Sequence, residues 1–194
     1  KQVSKDIKGA IKWYVLCAEN KQYKAQKKLT QLYFSNNKSI RNETKGIHWY
    51  EELAKNSDFD SQHFLADWYY KKSNYKKAIQ YMLEVEKKAP EMFQREIGDM
   101  LYQGKGIDKN VAKAFEYYEK IAEKGDNELS KLLAETYLLG KEVKKNTPKA
   151  IQYFEMIWNE LDHQRLKEIG DIHKNNSRKR DSRNQGFFCD FILS

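Results

Sequence analysis

The chain has 194 residues, 33% of them charged and 13% aromatic, with only two Pro and nine Gly, which excludes a wholly disordered chain and suits amphipathic helices packed through rings. Its net charge of +8 sits at the ends, with +6 in residues 1–28 and +3 in 174–194, so the middle is near neutral. Solvated terminal faces account for that distribution better than a nucleic-acid surface does, and few aromatics are interleaved with the basic ends for stacking on single strands.

Helical periodicity predicts ten helices in chain order, at 7–19, 22–35, 44–56, 60–72, 75–88, 91–103, 111–124, 127–139, 148–160 and 162–174. Thr147-Pro148 reads as an N-cap followed by Pro at the first helical position, and Gly125 and Gly140 as helix ends. Gly104-Lys105-Gly106-Ile107 and Gly140-Lys141-Glu142-Val143 read as turns whose apolar residue plugs back between helices. No apolar run reaches membrane-spanning length. Cys17 and Cys189, near opposite ends, form no disulfide framework, so a reducing, cytoplasmic setting is expected; a removed signal peptide or secretion as an effector stays open.

One phrase returns five times. A small residue stands three places before an aromatic anchor at Ala10/Trp13, Gly46/Trp49, Ala78/Tyr81, Ala114/Tyr117 and Ala150/Tyr153. The anchors step by 36, 32, 36 and 36 residues, and the short step falls in the loop 70–77. A second phrase follows each anchor by 20 residues, at Tyr33, Tyr69, Leu101, Tyr137 and His173. One further slot holds Thr30, Ala66, Gly98, Ala134 and Gly170, each directly after Leu or Ile. A fixed period of this size marks an array of stacked helix pairs, and small residues let the helices approach where a ring inserts.

The expected fold class is therefore all-α, a right-handed α-solenoid of antiparallel helix pairs. Counted from these slots, repeats fall at 22–57, 58–90, 91–125 and 126–161, with one helical segment before them at 1–21, one after them at 162–174, and a basic and apolar tail at 175–194.

The segment IGDMLYQGKGIDKNVAKAFEYYEKIAEKG (97–125) resembles the Sel-1-like repeat family, a relative of the tetratricopeptide repeat. LAETYLLGKEVKKNTPKAIQYFEMI (133–157) follows the pattern more loosely, and GAIKWYVLCAEN (9–20) and GIHWYEELAKN (46–56) keep its Trp-Tyr half. The repeat at 58–90, with its short loop and Pro90, is closer to a plain tetratricopeptide repeat. The resemblance covers about residues 8–174. It implies that the Leu-Gly helix comes first in each pair and lines a concave surface, so that 1–21 holds the second helix of a truncated repeat and 162–174 the first helix of another. Both ends would then expose faces meant to be covered, and flanking repeats or caps are expected. The resemblance also implies that members act as adaptors and that there are no common catalytic residues to transfer. The paired cysteines of some secreted bacterial members are absent here.

Aligned on the Leu-Gly slot, the first helices carry a basic row at Lys27, His63, Arg95, Lys131 and Lys167. A mostly acidic row follows at Gln31, Asp67, Asp99, Glu135 and Asp171, and a mostly aromatic row at Phe34, Tyr70, Tyr102, Leu138 and Lys174. The rows are either i,i+4 ion pairs, worth roughly 0.2–0.5 kcal/mol each, or the lining of a peptide groove. Base precedes acid in each pair, the weaker orientation, which a ladder between helices such as Lys131 with Asp99 would offset. For the aromatics the alternative is burial against the next repeat. The partner-binding candidates are His63, Asp67, Tyr70, Arg95, Asp99, Tyr102, Lys131, Glu135, Lys167 and Asp171.

No nucleotide loop, serine elbow or cysteine cluster appears, and His63 with Asp67 has no third ligand in sequence. His163 and His173 are ten apart on one helix, with His173 in a repeat packing slot, and neither suggests catalysis. No catalytic residue, metal, cofactor or small-molecule substrate is expected. The reading is a non-enzymatic scaffold taking a protein or peptide in its groove. Its alternatives are binding of nucleic acid or an acidic partner by the basic ends, or a regulatory segment of a larger enzyme or bacterial effector.

Overall fold

The computed structural model describes residues 6–160. The expected helix 162–174, with Lys167, Asp171, His163, His173 and Lys174, lies outside them, as do the tail and Cys189. Nine helices are described: α1 (Ile7–Glu19), α2 (Tyr23–Tyr33), α3 (Glu43–Lys55), α4 (Phe59–Lys71), α5 (Tyr75–Glu86), α6 (Gln94–Gln103), α7 (Val111–Ala122), α8 (Asn127–Leu139) and α9 (Thr147–Glu160). The fold is all-α, of the helical-repeat solenoid kind. The chain divides into two compact units, Lys1–Ile121 and Ala122–Ser194.

Each second helix begins the same way. Asp6, Asn42, Asn74, Asn110 and Asn146 stand four residues before the small residue of the phrase, and each side chain accepts from the backbone N–H three residues on. The short polar side chain satisfies one of the first-turn donors that a helix leaves unpaired. The four asparagines add a second bond, donating their own backbone N–H to the carbonyls of Tyr33, Tyr69, Leu101 and Tyr137. Tyr69 and Asn74 are five residues apart where the other three pairs are nine apart. The short loop thus loses four residues between two points that remain hydrogen-bonded, and the helices keep their places. The start of α9 differs from its expected form: Asn146, not Thr147, is the cap, because its side chain reaches Lys149 N at 3.1 Å, and Pro148 is the second helical residue.

Passage from a second helix to the next first helix uses one residue in the left-handed region, at Lys21, Ser57 and Gly125. The matching position before α6 is Ala89, which precedes Pro90 and is held from helical geometry by the proline ring. A longer turn follows, closed by Met92 N–H on Ala89 O and by the Gln94 side chain on Pro90 O. Phe93 takes the left-handed conformation there, so α6 starts at Gln94 rather than near 91.

In the first unit the core follows the repeat slots. Leu29, Leu65 and Ile97 are fully buried, and Thr30, Ala66 and Gly98 beside them are buried too. A Cβ on Gly98 would lie 2.7 Å from the Tyr118 ring, and one on Gly46 would strike the Phe34 ring, so these positions require the smallest residue. Gly106 has φ +72 and sits against the Tyr75 backbone, which leaves no space for a side chain. Phenol–carboxylate bonds tie helices together: Tyr23 to Asp58 at 2.7 Å, Tyr69 to Glu51 at 2.7 Å, Tyr117 to Glu86 at 2.8 Å and Tyr118 to Asp99 at 2.8 Å. Trp49 is 7% exposed while Trp13, its counterpart, is 72% exposed. Trp13 stands on α1, which has no first helix ahead of it among the described residues. α1 packs on α2 through Ile11, Tyr14 and Val15 instead.

The second unit repeats the grammar with α8 and α9. Asp126 caps α8 through Leu129 N, Leu133 and Ala134 are buried, and Tyr137 stacks on Tyr153 with centroids 6.3 Å apart. Gly140 ends α8 at φ +67. Ile107 and Val143 of the glycine turns are half-buried in their respective units.

Asn110→Ala should lower stability by about 1 kcal/mol in urea denaturation followed by helicity. Gly98→Ala should cost roughly 1–3 kcal/mol by overpacking against Tyr118. Loss of the cap without effect would mean that the repeated asparagines do not set the helix starts.

Candidate functional site

Between α2 and α4 of the first unit lies a cleft of about 570 Å³, lined by Lys27, Thr30 and Gln31 of α2, Tyr50 of α3, Phe59, Asp60, Ser61, His63, Phe64 and Asp67 of α4, and Met92 before α6. Its size falls among those of pockets that enclose ligand groups, roughly 300–1,000 Å³.

The apolar wall is an aromatic cluster built by the small-residue slots. Phe34, at the end of α2, lies on Gly46 and points its edge at Tyr50, Phe64 and Trp68, with centroids 5.7, 5.2 and 5.3 Å away. Tyr50 and Phe64 stack at 4.0 Å with 17° between planes. Such a packed ring cluster holds its exposed edges rigidly.

Charge is placed along the rim. The Lys27 ammonium lies 2.8 Å from Asp60 and 3.7 Å from Asp58, and 5.3 Å from the Tyr23 ring centroid. Its pKa is raised by the bond to Asp60, then by that to Tyr23. Asp67 pairs with Lys71 at 2.6 Å, acid first at i,i+4, the favourable orientation. His63 is exposed, with its ring 5.2 Å from Phe93 and 6.3 Å from Phe59.

The structure therefore brings His63 and Asp67 into one cleft with Lys27 and Gln31. Tyr70 lies nearby, half-buried against Tyr75 at 5.8 Å, and its phenol pKa is raised by burial and then by Asp99 and Glu96. Asp99 accepts the Tyr118 hydroxyl, and Tyr102 is half-buried beside Phe115 and Tyr118 with Lys109 over its ring. Arg95 is half-buried, and its charge reaches Tyr118. In the second unit Lys131 and Glu135 lie 3.9 Å apart as an i,i+4 pair. On α2 the base of the row, Lys27, meets Asp58 and Asp60 at the start of α4.

Tyr50, Phe59, Asp60, Phe64 and Met92 went unmarked in the sequence reading. The dense run Phe59, Phe64, Trp68 on one helix was a visible signal, but only the inserted edge of Phe34 shows which rings form a wall. Among the described residues no group of three or more His, Cys, Asp and Glu could hold a metal, and no helix is long and apolar enough to cross a membrane.

A family model for the Sel1 repeat matches residues 1–20, 33–58, 60–84, 92–126 and 131–157. The chain belongs to the Sel1 repeat family. Sel1 repeats typically mediate protein–protein interaction, and proteins built from them are generally non-catalytic scaffolds. Among solved structures, similarity is found to a Sel1 repeat protein from Oxalobacter formigenes, with 24% identity and a TM-score of 0.47, over 98% of this chain and 80% of that one. A protective antigen of uropathogenic Escherichia coli strains displaying an SLR fold also matches, with 24% identity and a TM-score of 0.47 over 98% of this chain. The present chain spans 41% of that antigen's length. No curated protein matches.

The buried phenols supply a check on this packing. Tyr117 and Tyr118 have pKa values raised above the ordinary 10.0, by burial first and then by their bonds to Glu86 and Asp99. A raised folded-state pKa contributes stability fully present below pH 10 and lost as pH rises through the folded value. Titration of the phenolate absorbance should therefore show a late-ionising class coinciding with alkaline unfolding. Tyr118→Phe should shrink that class and cost about 1 kcal/mol. A single class at the ordinary phenol value would contradict the burial.

Proposed function

We propose that this Sel1 repeat protein is a non-enzymatic adaptor that holds a peptide segment of a protein partner on the first-helix face. The observation that carries this reading is the cleft between α2 and α4, where packed rings, a methionine and charged rim groups converge. An interface of this composition works through a few anchors: apolar side chains enter the cleft and supply affinity, while rim charges fix register. His63 and Asp67 belong to that cleft. Tyr70, Arg95, Asp99 and Tyr102 extend the face toward α6, where their contacts with neighbouring helices make them a stiff continuation rather than loose contact groups. Lys131 and Glu135 of the second unit, and Lys167 and Asp171 outside the described residues, are candidates by their places in the sequence rows alone.

The repeat helices need not change shape to bind, because their spacing is set by side chains already in place. Binding of a pre-formed face avoids the ordering cost that a flexible groove would incur.

The test uses the exposed lining, so that folding is spared. In the double variant His63→Ala, Met92→Lys, partner capture by the immobilised chain should fall by about tenfold or more, as expected for loss of central contacts. Lys113→Glu on α7 should leave capture unchanged, with both variants retaining wild-type helicity. Equal capture by all three proteins would place the partner on another surface.

A further inference from the structure

The charge around the cleft favours one chemistry of peptide. At the α2–α4 rim, Asp58 and Asp60 set two carboxylates beside the ammonium of Lys27, while the Lys88 ammonium is held by the Ser57 carbonyl at 2.6 Å. Asp58 is spent: it accepts from Ser61 N, Ser61 Oγ and the Tyr23 hydroxyl, and its side chain is only 10% exposed. Asp60 has one bond, to Lys27, and a side chain 75% exposed. Lys27 is in the reverse position, already shared between two acids. An incoming carboxylate would have to compete with both for it, whereas an incoming ammonium or guanidinium meets an open carboxylate in excess. Asp67, across the cleft, has its charge matched by Lys71 and so leaves the surplus unchanged. Beside Asp60 lies the apolar part of the lining, formed by Phe59, Phe64 and Met92, the last 40% exposed.

We propose that the α2–α4 cleft takes a peptide in which an aromatic or large aliphatic side chain stands next to a lysine or arginine. The apolar side chain enters against Phe59, Phe64 and Met92, and the cation pairs with Asp60. The proposal rests on the first-helix face being the binding surface and adds the class of its ligand.

The experiment is a titration of the isotopically labelled full chain with three short synthetic peptides, followed by amide chemical shifts. One carries Lys-Phe-Lys at its centre, one Glu-Phe-Glu and one Lys-Ser-Lys, all between identical Gly-Ser flanks. The Lys-Phe-Lys peptide should move amides of residues 59–64 and 27–31 and bind about fivefold more tightly than Glu-Phe-Glu, the effect expected when an exposed attraction becomes a repulsion. The Lys-Ser-Lys peptide should bind more weakly still at that site. In Asp60→Asn, which alters one exposed side chain and keeps the fold, the preference for Lys-Phe-Lys over Glu-Phe-Glu should shrink toward parity. Equal or tighter binding of Glu-Phe-Glu in the cleft overturns the charge assignment while leaving the binding face in place. Shifts confined to another surface overturn the binding face itself. No shift with any peptide at millimolar concentration overturns the proposed ligand class.

Discussion

The bond from an asparagine backbone N–H to the carbonyl of the second-phrase residue is the constraint on which the rest depends. It closes the loop of each helix pair and fixes where the second helix starts, and the same asparagine's side chain then pairs the first turn. With the start fixed, the small residue four positions later faces the preceding helix, and the aromatic anchor falls on the line of the core. Remove the closure and the period loses its structural meaning, because the positions of Ala114 and Tyr117 on α7 are counted from Asn110. The energy of any one such bond is modest, about 0.5–1.5 kcal/mol. Its repetition is what turns a sequence period into a spatial one.

From that closure the face of the first unit follows. Regular helix spacing permits Phe34 to lie on Gly46 and reach Phe64 and Trp68 of the next first helix. The same spacing sets Lys27 against the start of α4 and leaves the space between them as a cleft. Binding surface and core are thus one construction, seen from its two sides. The shifted groups of the first unit are phenols, lysines and carboxylates, each engaged in packing or in bonds between neighbouring side chains.

Much of this was legible beforehand. Period, helix order and the small-residue slot follow from spacing alone, since a stacked array ties each position to its counterparts. The capping asparagines recur just as regularly, and Asn146, not Thr147, holds the cap of α9. A cap is a local bond with no apolar signature, so periodicity does not single it out. Pro90 was visible, yet its effect on Ala89 had to be seen to move the start of α6. The candidate rows were legible as rows but not as partners. Sequence places Lys27 in line with His63, while only geometry shows that Lys27 turns to Asp60 and that Asp99 is held by Tyr118.

Asp58 shows how closely neighbouring repeats are bound to one another. A single carboxylate caps its own helix through Ser61, receives the hydroxyl of Tyr23 and steadies Lys27 from the helix before. Burial works to raise its pKa, yet the Ser61 and Tyr23 bonds and the Lys27 charge outweigh it and hold the carboxyl below the ordinary carboxylate range. A depressed folded-state value means stability present above the unfolded pKa and lost as pH falls through the folded one. Acid would therefore uncap α4 and loosen α2 in the same event. For a chain whose helices otherwise answer mainly to their nearest neighbours, such shared groups are the means by which melting in one repeat is felt in the next.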